Sequence, residues 1–131
     1  MLRKFKLYPA HTVIETDTIE KTAKYMKKHN ARYVYVVDKA KKPVGVISLY
    51  DIVFRVVAEK ENPSKTVAKK IMQSPVDHVD IGHAPEFALN IMMKRHTYAC
   101  LVTEKGKVKG LVDYKSVFEQ VLKNMKEREA K

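Results

Sequence analysis

The chain has 131 residues, 45% of them hydrophobic, and a formal net charge of +11 at pH 7. This length suits one compact domain or two small halves sharing a core, and the apolar content excludes wholesale disorder. No apolar run approaches the roughly 20 residues of a membrane helix, and none follows the N-terminal charges as in a signal peptide. The single cysteine, Cys100, excludes an internal disulfide and lies in an apolar run, where we expect a buried, inert thiol. We therefore expect a cytoplasmic protein with no membrane partner.

The positive charge leaves two interpretations open. Lysine supplies 21 of the 26 basic residues and is spread along the chain, with small clusters at 39–42, 69–70 and 105–109. Proteins that read nucleic acids usually concentrate arginine and aromatic residues on one face. The pattern favours a solvated surface, and non-specific attraction to polyanions is the alternative.

The first part of the chain predicts an N-terminal arm, a strand and a helix. Residues 1–10 alternate apolar and polar positions, and a brief strand follows at 12–15. Asp17, with Glu20 three residues later, predicts the helix start, and Asn30 predicts its end. The predicted buried stripe of this helix is Ile19, Ala23 and Met26.

A hairpin and a second helix are expected next. The β-branched and aromatic segment 32–38 predicts a buried strand, and 43–47 returns as its antiparallel partner. Ser48 then caps a helix that we expect to continue to about Glu59, because an apolar stripe follows at helical spacing. Pro63 interrupts the chain, and a short linker helix is predicted over 65–72. The stripe consists of Ile52, Val53, Val56 and Val57.

The same order of elements returns at an offset of 65 residues, which we align without a gap. The offset is set by Gly45 and Gly110 (110 − 45), and the alignment also pairs Met26 with Ile91 and Tyr33 with Tyr98. The predicted domains are an arm at 1–10, repeats at 11–60 and 74–124, a linker at 61–73 and a charged tail at 125–131.

Each repeat enters its last helix through a glycine, two apolar residues and two polar residues three positions apart. In the first copy the polar residues are Ser48 and Asp51. This arrangement resembles the CBS domain, named after cystathionine β-synthase, and two in tandem resemble the CBS pair, or Bateman module. The resemblance implies a mixed α/β (α+β) fold of two β-α-β-β-α repeats, packed sheet to sheet about a pseudo-twofold axis, in a homodimer.

The resemblance also implies a function. It implies a regulatory module that binds an adenosine ligand, such as AMP, ADP, ATP or S-adenosylmethionine, and acts on an unidentified effector protein. No glycine-rich phosphate loop, nucleophile elbow or paired catalytic carboxylates occur in the sequence, so we do not expect an enzyme. A nucleic-acid-binding basic module and a structural dimer without ligand remain as alternatives.

In the site that the resemblance implies, Asp51 accepts hydrogen bonds from both ribose hydroxyls and Ser48 contacts phosphate or sugar. Charge-assisted bonds of this kind contribute roughly 1.5–3 kcal/mol each. The alternative is a capping box, because Ser-x-x-Asp also satisfies the open amides of a helix start. The remaining implied members are Arg32 and Lys115 near phosphate, Tyr33 in the wall, and Val76, His78 and Val79 against the base.

The second copy reverses the polar pair. Asp113 stands where the hydroxyl is expected and Ser116 where the carboxylate is expected. A fixed negative charge about 5 Å from a phosphate, at an effective dielectric constant of about 20, costs roughly 3 kcal/mol. We therefore expect one competent nucleotide site and one weaker cleft. The weaker cleft would contain Thr12, Val13, Asp113, Ser116 and Tyr98.

The five histidines show no metal-ligand spacing, and no cysteine or carboxylate cluster accompanies them. We therefore expect no metal site and no covalent cofactor. The ligand that the resemblance implies is an adenine nucleotide or S-adenosylmethionine.

Overall fold

The computed structural model describes residues 1–130, which form two compact units. The first unit is His11–Val76, and the second unit is Met1–Ala10 together with the chain from Asp77 onward. Each unit has a three-stranded sheet and its own hydrophobic core. The mixed helices and strands and their repeated order confirm the predicted fold class. Within residues 1–130 no helix has the length and apolar character needed to span a membrane.

The first unit is built around the sheet β1-β2-β3, in which β1 is parallel and β3 antiparallel to the central β2. A π-helix, Ile52–Val57, continues directly from α2. The elements are β1 (Thr12–Ile14), α1 (Ile19–His29), β2 (Tyr33–Val37), β3 (Pro43–Ser48), α2 (Leu49–Asp51) and α3 (Ala68–Ile71).

The second unit repeats this topology with the sheet β4-β5-β6. The N-terminal arm adds a short 3-10 helix, Leu2–Lys4, to this unit. The elements are β4 (His78–Asp80), α4 (Pro85–Arg95), β5 (Ala99–Glu104), β6 (Lys107–Asp113) and α5 (Tyr114–Glu129). The last helix thus includes most of the predicted tail 125–131, of which Lys131 lies outside the described residues.

The ungapped alignment of the repeats is wrong by one residue before the hairpin of each unit. Val34 pairs with Ile47 in the first sheet, and Cys100 pairs with Val112 in the second. The offset is therefore 66 in the central strand (100 − 34) but 65 in the last strand (112 − 47). A hairpin turn that is one residue shorter in the second unit accounts for the difference, since surface turns tolerate deletions. Tyr98 is consequently the equivalent of Arg32 and not of Tyr33.

The start of α1 also differs by one residue from the prediction. Thr18, not Asp17, is the N-cap, and its hydroxyl accepts a hydrogen bond from Lys21 N at 3.1 Å. Asp17 instead accepts from Ile14 N at 3.0 Å, before the helix begins. Asn30 ends the helix as predicted, in the left-handed conformation with φ of 50°. The buried residues are Ile19, Thr22 and Met26, so Thr22 replaces the predicted Ala23.

The stripe predicted after Ser48 is wrong, because its members are not buried together. This part of the helix is a π-helix, whose hydrogen bonds span five residues, as from Ala58 N to Val53 O at 2.9 Å. Val56 is buried, whereas Val53 and Val57 are 51% and 67% exposed. The linker helix is also shorter than predicted, at Ala68–Ile71.

The N-terminal arm is part of the second unit's core. Leu2 is fully buried, and its amide donates to His83 O at 2.9 Å. Tyr8 and Leu111 exchange two backbone hydrogen bonds of 2.8 Å. This close approach requires Gly110, because a Cβ there would lie 2.8 Å from Tyr8 O.

The segment 72–73 pairs with β3 in the first unit as the N-terminal arm pairs with β6 in the second. Gln73 N donates to Val46 O at 2.9 Å, and Val46 N donates to Gln73 O at 3.0 Å. A Cβ on Gly45 would lie 2.9 Å from Gln73 O and 2.5 Å from Met72 Sδ. Both motif glycines therefore serve to admit a neighbouring chain segment.

We predict that Gly110→Ala destabilises the protein by about 1–3 kcal/mol, because its methyl group would push the arm off β6. Urea unfolding followed by circular dichroism measures the change. The control is Gly82→Ala, whose methyl group would meet a side-chain oxygen, Asp80 Oδ2, at 3.1 Å. Equal stability losses in the two variants would contradict this account of the arm.

Candidate functional site

The start of α2 lies at the edge of the first sheet where β2 begins and β3 ends. Tyr33 is the ladder partner of Ser48, and Leu49 N donates to Arg32 O at 3.0 Å. These contacts bring Arg32, Tyr33 and Ser48 together at one edge of the sheet. Among residues 1–130, the exposed Arg32 side chain has no hydrogen-bond or ion-pair partner. A free cation beside a helix start is suited to hold an anion.

Asp51 is buried, with 4% of its surface exposed, and its carboxylate binds back to the N-cap. Its Oδ2 accepts from Ser48 N at 2.7 Å and from Ser48 Oγ at 3.1 Å. Asp51 N in turn donates to Ser48 Oγ at 3.3 Å. The capping box that was the alternative to a ligand site is thus present. It fixes the carboxylate at the helix start and leaves the second oxygen, Oδ1, outside the box.

Gln73 supplies a contact that sequence reasoning missed. Its Nε2 donates to Asp51 Oδ1 at 2.9 Å across 22 positions of the chain. The local pattern around Gln73 gives no signal of this bond, because it depends on how segment 72–73 aligns with β3. The backbone pairing of Gln73 with Val46 sets that alignment.

The corresponding helix start in the second unit has different chemistry. Asp113 is the N-cap of α5, and its Oδ2 accepts from Ser116 N at 3.2 Å. Partial burial acts to raise the pKa of Asp113, but hydrogen bonds from Ser116 and the nearby Lys115 ammonium outweigh it and lower the pKa. The carboxylate therefore keeps its negative charge at neutral pH. Tyr98, whose carbonyl accepts from Tyr114 N at 2.8 Å, is 82% exposed beside it.

The other predicted site residues lie in both units. Val79 and Val13 are buried in the two cores, so either would meet a ligand mainly through its backbone. His78 is exposed, and its Nδ1 lies 3.2 Å from Thr103 Oγ1. Their assembly with Asp51 into one site stays a prediction. The first unit holds Thr12, Val13, Arg32, Tyr33, Ser48, Asp51 and Val76, and the second holds His78, Val79, Tyr98, Asp113, Lys115 and Ser116.

Cys100 is the buried, inert thiol that the sequence predicted. Burial, with a contribution from the Asp77 carboxylate, raises the pKa of Cys100 to about 12. The thiol is therefore protonated and a poor nucleophile at neutral pH. Within residues 1–130, no three histidine, cysteine, aspartate or glutamate side chains are grouped to hold a metal ion.

Comparison with known proteins identifies the family. The sequence matches the CBS domain twice, over residues 4–58 and 68–123. The chain belongs to the CBS-domain family. The first residues of each CBS match do not pack in the same unit as the rest of that match. Residues 4–10 belong to the second unit, and residues 68–76 belong to the first.

Individual relatives are distant. An uncharacterized protein of Methanopyrus kandleri is 28% identical over 105 residues, which are 79% of this chain and 54% of the relative. The chain thus spans about half the length of that relative.

Solved structures share the tandem CBS fold. A CBS domain protein from Pyrobaculum aerophilum, complexed with AMP, has a TM-score of 0.73 at 21% identity over 93% of this chain and 98% of that one. Hypoxic Response Protein I, with two coordinated zinc ions, has a TM-score of 0.76 at 19% identity over 91% and 96%. At these identities the likeness shows the fold alone.

Proposed function

We propose that this protein is a regulatory CBS pair that binds an adenosine ligand, of the AMP, ADP, ATP or S-adenosylmethionine class, at the start of α2. The observation that carries the proposal is the Asp51 carboxylate, which is fixed by Ser48 at a helix start while Oδ1 can accept a further hydrogen bond. Membership in the CBS-domain family supports it, and the Pyrobaculum aerophilum protein with AMP is a precedent.

The proposed roles follow from the chemistry of each group. Asp51 accepts hydrogen bonds from the ribose hydroxyls, which a carboxylate does more strongly than a neutral acceptor. The positive end of the helix dipole and the unpaired Arg32 attract the phosphate. Val76, which lies in the same unit, would contact the base, and the roles of Lys115, His78 and Val79 stay predictions from the resemblance.

The second helix start favours phosphate less in this proposal. Asp113 holds a negative charge there, and Ser116 replaces the carboxylate that would bind the sugar. We therefore propose one nucleotide site per chain. Binding at that site would change the geometry presented to an effector protein, with a coupling free energy of about 1–3 kcal/mol.

Titration calorimetry with AMP, ATP and S-adenosylmethionine tests the site. At least one should bind once per chain, and Asp51→Asn should weaken that binding at least about tenfold, because the charge-assisted bonds to the sugar are lost. The control is Asp38→Asn, in which the changed carboxylate accepts from Ala40 N and Lys42 N at the hairpin. No heat with any of the three, or equal affinities in the two variants, would count against the site.

We also propose that the chain forms a homodimer through the apolar face of the helix over residues 49–57. Tyr50, Phe54 and Val57 on this helix are 72%, 60% and 67% exposed. Exposed apolar patches of this kind mark interaction sites, and the resemblance to the CBS pair implies a second copy as the partner.

Sedimentation velocity tests the dimer at micromolar concentration. The mass fitted for the unmodified protein should be twice the chain mass of 15.1 kDa. The mass fitted for Phe54→Glu should equal the chain mass, because a buried unpaired charge opposes association. Phe87→Glu on α4, where the phenylalanine is 53% exposed, is the control and should remain dimeric. A monomeric unmodified protein would refute the proposal.

A further inference from the structure

The Asp51 carboxylate has too few unused acceptor positions for a sugar diol. A carboxylate offers about four lone-pair positions, two on each oxygen. Ser48 N and Ser48 Oγ take both positions on Oδ2, and Gln73 Nε2 takes one on Oδ1. One position is left, whereas the two hydroxyls of a ribose donate two hydrogen bonds.

Of the three donors, Gln73 is the one that a ligand can displace at least cost. Ser48 N belongs to the backbone of the capping box, and Ser48 Oγ also accepts from Asp51 N. Gln73 is exposed, whereas Asp51 is buried. Since two hydrogen bonds to Val46 hold its backbone, the Gln73 side chain can rotate away without moving the chain.

The second unit gives an internal comparison. Tyr8 has the backbone place of Gln73, because it exchanges two hydrogen bonds with Leu111 as Gln73 does with Val46. In that unit Ser116 replaces the carboxylate. The amide donor of Gln73 therefore occurs where the third residue after the N-cap is an aspartate, and Tyr8 occurs where that residue is a serine.

We propose that Gln73 is a specificity-determining residue whose carboxamide competes with the ligand's second sugar hydroxyl for Asp51 Oδ1. This inference rests on the proposed adenosine site. A ligand with one hydroxyl uses the open position, and a ribose must in addition displace the Gln73 amide. Gln73 therefore lowers the affinity for a ribonucleotide more than for the corresponding deoxyribonucleotide. When no ligand is bound, its amide is hydrogen-bonded to the Asp51 carboxylate.

The test compares AMP with 2′-deoxy-AMP by calorimetry, using the unmodified protein and Gln73→Met. Methionine has a similar length but no donor, so both positions on Oδ1 become available to the sugar. The variant should bind AMP about three- to tenfold more tightly, as expected for one net hydrogen bond, and 2′-deoxy-AMP with less than about a twofold change. The ratio of the two affinities should rise accordingly.

Two further variants make the result decisive. Gln120→Met removes a similar amide, which donates to Asn124 Oδ1 at 2.9 Å on α5, and should leave both affinities unchanged. Gln73→Ala replaces Gln73→Met if thermal unfolding shows that the methionine variant does not fold. AMP binding that stays equal or weakens when Gln73 is replaced would overturn the inference while leaving the adenosine site intact. If ATP binds and AMP does not, the same comparison is made with ATP and 2′-deoxy-ATP. Absence of binding of AMP, ATP and S-adenosylmethionine to every variant would overturn both.

Discussion

The hydrogen bonds of the Asp51 carboxylate connect the fold of the first unit to its proposed function. Through Ser48 they fix the start of α2 at the end of β3, and through Gln73 they hold the segment that leads to β4. The same carboxylate is the group proposed to bind a sugar. A buried charged group must be matched by hydrogen bonds, and Ser48 and Gln73 supply them here.

The two units show how one backbone plan can carry different chemistry. In both, a glycine of the last strand admits a neighbouring segment, and a polar N-cap begins the following helix. In the first unit the buried carboxylate, Asp51, comes three residues after the N-cap Ser48. In the second unit the N-cap residue, Asp113, itself carries the carboxylate. In the proposed function, the negative charge of Asp113 would repel a phosphate at the second helix start. The difference between the units follows from two exchanged residue types and requires no change of fold.

Sequence patterns predicted most of the fold, because local rules determine where strands end and helices begin. The site residues came from the resemblance to the CBS domain, and their role in binding stays a prediction. The Gly45-to-Asp51 motif predicts a strand that ends in a capped helix, and the structure has that arrangement. The errors occur where local rules are insufficient. A one-residue deletion in a turn shifts the alignment of Tyr98 without disturbing the apolar pattern. Val53 and Val57 are apolar but exposed, because the apolar character of a residue does not by itself determine its burial. The hydrogen bond from Gln73 to Asp51 joins residues that are 22 positions apart, so the local sequence around either residue does not indicate it.

The most direct test of the central claim is a crystal structure of the unmodified protein soaked with AMP. The account predicts a ribose hydroxyl oxygen within about 3.2 Å of an Asp51 carboxylate oxygen, with the Gln73 amide turned away. AMP bound elsewhere, with Asp51 still bonded to both Ser48 and Gln73, would contradict it.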